Sequence, residues 1–359
     1  MREWKKQAEI TGDVVFFNYA SDVAEKEAQE VYIWDLDKTY LDTRFESLEG
    51  LFKAAVEKAF QKRNIPGTAT LVRALRNSWQ AKYSGLRDFP IFFITASPPQ
   101  IERKIHEKLN LDGIYPYGIF FKDNLKNLRP GRLRRLTHQI GYKLQALLQV
   151  RVRLGEQVRL VLWGDDSEAD AIIYSLFADI CSRRLEGSEL RKLLEALLVT
   201  GQQLDVIMSL QSKTPDQDPV EKIYINLEAD TDAEYYLKFG RRVLPTYNSF
   251  QAALDLFQDQ RLKDDQVVRV AKDLVENYQF TREELEKSFD DLVRRQVIAA
   301  TTVEKILPVL KERGLVHPKF ALSMAPKPVA VQLGERVIQL EGSFEPWVPE
   351  RIDYLHDYR

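Results

Sequence analysis

Three aspartates follow a short apolar run. Val31, Tyr32, Ile33 and Trp34 lead into Asp35, Asp37 and Asp42, with Thr39 between the last two. Charge is costly to desolvate, so two carboxylates two residues apart at the mouth of a core strand call for a counter-charge. Hard divalent cations take oxygen ligands, and Mg²⁺ is typically held by one or two carboxylates plus substrate phosphate. Other stretches carry groups suited to the same chemistry. The run at 91–95 ends in Thr95, with Ser97 close behind, and the run at 158–163 leads into Asp165, Asp166 and Asp170. Lys143 falls on, or at the start of, the helix before that last run. With a cation in place, Asp35 can stay ionised and attack a phosphorus centre, so that one displacement becomes two through an aspartyl-phosphate. Asp37 is placed to protonate the leaving oxygen and then to take a proton from the attacking water. Thr95 and Lys143, with Lys122 or Lys126 as alternatives to Lys143, can hold the transferring phosphoryl oxygens.

The elements that must position these groups are legible as alternating patterns. Continuous apolar runs at 31–35, 91–95, 118–121, 158–163 and 222–226 suit strands buried on both faces, as in a parallel sheet. Between them, Leu48, Leu51, Phe52, Ala55, Val56, Ala59 and Phe60 repeat at steps of three and four along one helical face. Pro66-Gly67 ends that element. Further helices are expected through 68–83, after Pro99, over about 132–152 and from near Ser167. The β-α-β-α order predicts a doubly wound, mostly parallel α/β sheet. Ligands of such sheets sit beyond the carboxyl ends of the strands, which is where Asp35, Thr95 and Asp165 fall.

The expected organisation has an N-terminal segment (1–27) and a catalytic domain (28–262) with a helical insertion at about 186–212. A helical region (263–315) and a tail (316–359) complete it. In the helical region, Thr281 and Glu284 form a capping-box signature, and Pro308 is expected to kink or begin a helix. In the tail, "VAVQLGERVIQLEG" reads as a hairpin turning at Gly334-Glu335. Net charge is −2 from 52 basic and 54 acidic side chains, so any binding field must be local. Cys181, the one cysteine, excludes an intrachain disulfide and points to a reducing compartment. No secretory h-region or membrane-length apolar stretch is evident, and the reading is a cytoplasmic protein.

Taken together, these motifs give a resemblance. "DLDKT" is similar to the DxDxT motif of the haloacid dehalogenase-like (HAD) hydrolase superfamily; Thr95 resembles its second motif, Lys143 its third and "GDDSEAD" its acidic fourth. The resemblance implies Asp35 as nucleophile and Asp37 as general acid/base, with the Asp37 backbone carbonyl also on Mg²⁺. Asp165 would be the main further metal ligand, assisted by Asp166 or Asp170. "ITASPPQ", "YKLQAL" and "GDDSEADAIIY" resemble more closely the catalytic domain of App1-type phosphatidate phosphatases and their bacterial relatives. That group usually has an aspartate at the position of Lys38 and a histidine at that of Tyr142. The intervals between motifs leave no room for a large cap, and uncapped members tend to act on bulky substrates.

The expected partner is therefore a phosphorylated substrate, with an anionic lipid or a macromolecule as candidates. Lys122, Lys126, Arg129, Arg132, Arg134 and Arg135 could form a basic rim that draws an anion, a membrane surface or nucleic acid. The near-zero net charge disfavours nucleic acid. The alternatives are a nucleic-acid-end phosphatase and a non-catalytic scaffold; an intact Asp35/Asp37 pair argues against the scaffold.

Overall fold

The computed structural model describes residues 7–20, 28–42, 64–83, 88–123, 134–324, 330–333, 336–339 and 348–356. The expected helix at 48–60 and the basic residues Lys126, Arg129 and Arg132 lie outside them. No described helix is long and apolar enough to cross a membrane.

The chain divides into two compact units, Met1–Arg63 with Asp88–Pro245 and Trp347–Arg359, and Asn64–Arg87 with Thr246–Pro346. The first is a mixed α/β unit built on an eight-stranded, mostly parallel sheet. Its strands are β1 (Glu9–Thr11), β2 (Val14–Asn18), β3 (Glu30–Asp35), β4 (Ile91–Thr95), β5 (Gly118–Lys122), β6 (Arg159–Asp165), β7 (Val220–Asn226) and β8 (Val243–Thr246), in the order β1-β2-β5-β4-β3-β6-β7-β8. Strands β5, β4, β3, β6 and β7 run parallel, and β2 pairs antiparallel with both β5 and β1. The five central strands fall on the five apolar runs. The β1–β2 hairpin and β8 were not expected: β2 is a short VVFFN run, entered through Gly12 at φ 61°.

The central strands are buried on both faces. On one face Val31, Ile33, Phe92, Leu160, Leu162 and Ile223 join a core with Ile140, Leu144 and Leu148 of the helix Arg134–Arg153 and Ile173, Phe177 and Ile180 of the helix Asp170–Cys181. On the other, Trp34 stacks on Trp163 at 4.5 Å between ring centroids, and Trp163 on Tyr224 at 4.6 Å. Such aromatic cross-strand pairs pin the register of β3, β6 and β7.

The described helices, in chain order, begin with α1 (Thr68–Lys82), α2 (Glu102–Leu111), α3 (Arg134–Arg153) and α4 (Asp170–Cys181). The expected insertion is α5 (Gly187–Ala196) and α6 (Gly201–Gln211), the latter started by a Thr200/Gln203 capping box. Helix α6 packs on α3 at Gly141, where a Cβ would stand 2.4 Å from the Gln203 amide oxygen. At about 100° per residue, Gly141 and Lys143 lie on opposite sides of α3. The pair α5–α6 therefore sits on the side of α3 away from Lys143 and is no lid over it.

The second unit is helical: α1 with α7 (Ser249–Gln258), α8 (Asp264–Tyr278), α9 (Arg282–Arg294) and α10 (Ala300–Glu312). The expected Thr281/Glu284 box starts α9, and Pro308 lies inside α10. Helix α1, expected as part of the sheet domain, instead packs here. Gln266 of α8 donates to the Ala74 carbonyl (2.9 Å), and Ser249 to that of Pro66 (2.6 Å). The pair β9 (Ala330–Leu333) and β10 (Arg336–Gln339) is antiparallel, with Leu333 opposite Arg336.

Candidate active site

From β3 the chain proceeds outward to β4 and β5, then returns to the other side of β3 for β6 and β7. The strand order therefore changes direction between β3 and β6, and ligands of open α/β sheets sit in the crevice beyond the carboxyl ends of strands at such a point. Asp35 is the last residue of β3 and Asp165 the last of β6. Asp35, Asp165, Glu168 and Asp170 each bring a carboxylate oxygen to within 4.8 Å of the others. Asp35, Asp165 and Asp170 are almost wholly buried.

Lys143, 1% exposed, enters this group from α3. Its Nζ lies 3.2 Å from Asp35 Oδ1, 2.7 Å from Glu168 Oε2 and 2.5 Å from Asp170 Oδ1. Thr39 Oγ1 donates weakly across the crevice, 3.5 Å from Asp35 Oδ2 and 3.4 Å from Asp165 Oδ2. The glycine of "GDD" is needed for this closeness. A Cβ at Gly164 would stand 2.3 Å from Asp170 Oδ2, an oxygen that accepts from the Asp165 amide at 3.2 Å.

A tight turn carries Asp37 and Thr39. Leu41 N donates to Leu36 O and Lys38 N to Leu41 O, both at 2.8 Å, and Lys38 takes a left-handed φ of 58°. Asp37 turns from the four-carboxylate group towards β4, where Thr95 Oγ1 donates to its Oδ2 at 2.6 Å. The same hydroxyl accepts from Ser97 N at 3.0 Å. Thr95 thus orients Asp37. Tyr142, next to Lys143, donates to the carbonyls of Thr95 (2.6 Å) and Phe120 (2.9 Å), tying α3 to the ends of β4 and β5. A phenol satisfies backbone acceptors there, which explains the residue without assigning it chemistry.

Burial pushes the Asp35 carboxyl well above its ordinary range; Lys143 opposes this, and Asp170, Glu168 and Asp165 add to it. Asp165 is likewise pushed well up by burial and by Glu168 and Asp170. Asp170 is raised by burial to about 6. Glu168 ends below its ordinary value: burial raises it, but Lys143, Gln139 and Lys38 draw it down. Lys143 is held well above its ordinary value, because Asp170, Asp35 and Glu168 outweigh the cost of burial. One ammonium at ion-pair distance does not balance four carboxylates. An all-oxygen, anionic, buried donor set of this kind fits a hard divalent cation.

The structure therefore brings Asp35, Asp165, Asp170 and Lys143 together, with Asp37 and Thr95 hydrogen-bonded beside them. It does not bring Asp166: its Oδ2 accepts from Glu228 N (3.0 Å) and from Thr231 Oγ1, fastening the segment after β7. Glu168, three residues after Asp165, is the member that sequence reasoning missed. Its signal was the density of acidic residues in "GDDSEAD".

Comparison with known families agrees with this geometry. The family model for the catalytic domain of the phosphatidate phosphatase APP1 matches residues 31–192, which hold every residue of the cluster. The match supports a phosphatase, a phosphoric monoester hydrolase, whose buried acidic cluster could hold a metal ion. No curated protein and no solved structure matches.

Proposed function

We propose that the first unit is a Mg²⁺-dependent phosphatase of HAD type, with a doubly wound sheet, acting in the cytoplasm on a bulky or extended phosphomonoester, anionic lipids among them. The observation that carries this reading is the cluster of Asp35, Asp165, Glu168 and Asp170 around Lys143, with the Asp37–Thr95 pair beside it, at the point where the sheet reverses its winding. Asp35, Asp165, Glu168 and Asp170 would hold the Mg²⁺, together with the Asp37 backbone carbonyl. Asp166 is left out of that set, because it lies outside the cluster and its Oδ2 is taken by Glu228 N and Thr231 Oγ1. A bound Mg²⁺ would neutralise carboxylate and phosphoryl oxygens together, which is the charge balance that phosphoryl transfer requires.

The chain's own groups then have distinct tasks. Asp35 attacks phosphorus and forms a P–O bond while the ester P–O bond breaks. Asp37, aimed by Thr95, gives its proton to the leaving oxygen and later takes one from the water that cleaves the aspartyl-phosphate. Lys143 holds Asp35 in place and offers positive charge to the phosphoryl oxygens.

The test is phosphate release from an aryl phosphate with and without Mg²⁺, for wild type and Asp35→Asn. We expect metal-dependent turnover that falls at least ~10³-fold in the variant. Equal turnover in the two proteins would exclude Asp35 as nucleophile. No turnover together with no Mg²⁺ binding would favour a scaffold.

A further inference from the structure

The residue after Asp37 is not explained by the chemistry above. Lys38 holds a left-handed backbone conformation, φ 58°, which costs an ordinary L-residue roughly 1 kcal/mol and which glycine, asparagine or aspartate adopts more easily. Its side chain is half-buried, so part of its hydration is already lost. Among the described residues, no carboxylate lies within ion-pair distance of it. Lys143, by contrast, is engaged by three carboxylates. The Lys38 charge still bears on the crevice, since it helps to draw Glu168 down. Lys38 is thus a half-buried ammonium in a left-handed turn beside the proposed acid/base, with no ion-pair partner among the described residues. An anion arriving there would meet this charge.

Lys38 follows Asp37 in the same tight turn, and Asp37 serves the leaving oxygen in the proposed reaction. The Mg²⁺ and Lys143 serve the transferring phosphoryl group, which leaves Lys38 for a different anion. We propose that Lys38 is a specificity residue that pairs with a second anionic group on the substrate, carried near the ester oxygen. The substrate class would then be phosphomonoesters whose leaving group bears its own carboxylate or phosphate. This inference rests on the phosphatase reading of the same site.

Two non-hydrolysable probes separate the two claims: methylphosphonate, and phosphonoacetate, which adds one carboxylate. Their dissociation constants would be measured by calorimetry in saturating Mg²⁺ for wild type, Lys38→Asn and Lys38→Arg. Asparagine suits the left-handed turn, so the fold should survive that change. A charge-assisted hydrogen bond made on binding is worth about a tenfold preference or more. We expect wild type to prefer phosphonoacetate by at least about tenfold, Lys38→Asn to bind both probes alike, and Lys38→Arg to restore part of the preference. No preference in wild type, or a preference that survives in Lys38→Asn, would overturn the proposal. A lysine that only offsets carboxylate charge would change Mg²⁺ affinity and leave the probe ratio unmoved, which also counts against it. Failure of aryl phosphate turnover with the probe preference intact would remove the phosphatase reading and leave the anion pair standing.

Discussion

Two charge clusters lie at opposite ends of the same sheet, one buried and one part-exposed, and they are built on different balances. At the carboxyl end, four carboxylates share one lysine at ion-pair distance. At the other end, before β7 and β8, Asp218 pairs with Arg242 at 2.5 Å and with Arg184 at 3.5 Å. Arg184 also reaches Asp179 at 2.9 Å, and Tyr354 donates to Asp179 at 2.5 Å. Two carboxylates there meet two guanidinium groups and a phenol. A cluster whose carboxylates are each paired in this way locks elements together, here the tail residue Tyr354 and α4. A cluster left with excess negative charge has to be completed by something from solution. The difference argues that only the first end is a site.

Removing the central cation at each end should expose that difference most strongly. Lys143→Met leaves buried carboxylates without their ion-pair partner, a loss of about 3–5 kcal/mol in stability, whereas Arg242→Met leaves a part-exposed Asp218 that keeps Arg184 and should cost less. Denaturant unfolding with and without Mg²⁺ would separate them. Mg²⁺ should restore part of the loss in Lys143→Met and none in Arg242→Met. Equal responses would erase the distinction between the two ends.

A smaller effect follows from pH. Asp170 has its folded pKa raised to about 6, and Asp35 and Asp165 are also raised. Between the unfolded value of 3.8 and about 6, the folded chain keeps a proton at Asp170 that the unfolded chain has released. Stability from this group is therefore full below the unfolded pKa and is lost as pH rises through the folded one. The metal-free protein should thus melt at a higher temperature at pH 5 than at pH 7.5, with Asp170 alone contributing up to about 3 kcal/mol. Mg²⁺ should shrink or reverse that difference. A metal-free protein more stable at pH 7.5 would contradict the assignment.

Tyr354→Phe should give the smallest change, about 1 kcal/mol, from one lost hydrogen bond in a cluster that keeps its arginine partners. Its melting temperature should shift equally with and without Mg²⁺.

How much of this was legible varies by element. The five central strands were readable because burial on both faces leaves uninterrupted apolar runs. Asp35, Thr95 and Asp165 followed from them, since strand ends point at the crevice. The β1–β2 hairpin was missed although Gly12-Asp13 before VVFFN is a turn signal. β8 is four residues long and leaves little pattern. Helix α1 was recognised as a helix but assigned to the wrong unit, because an apolar face of Leu71, Val72, Leu75 and Trp79 does not say which layer will cover it. Asp166 was named as a candidate assisting ligand and Glu168 was not, for a related reason. Both sit in a loop where spacing gives no periodic constraint, and only the fold shows that Asp166 Oδ2 accepts from Glu228 N and Thr231 Oγ1 while Glu168 turns to Lys143.

The most direct test of the account is calorimetric titration of Mg²⁺ into the metal-free protein and its Asp165→Asn variant. The account predicts one ion per wild-type chain, with affinity lost or weakened at least about tenfold in the variant. Failure of the wild-type protein to bind Mg²⁺ at millimolar concentration, or unchanged binding in the variant, would contradict it.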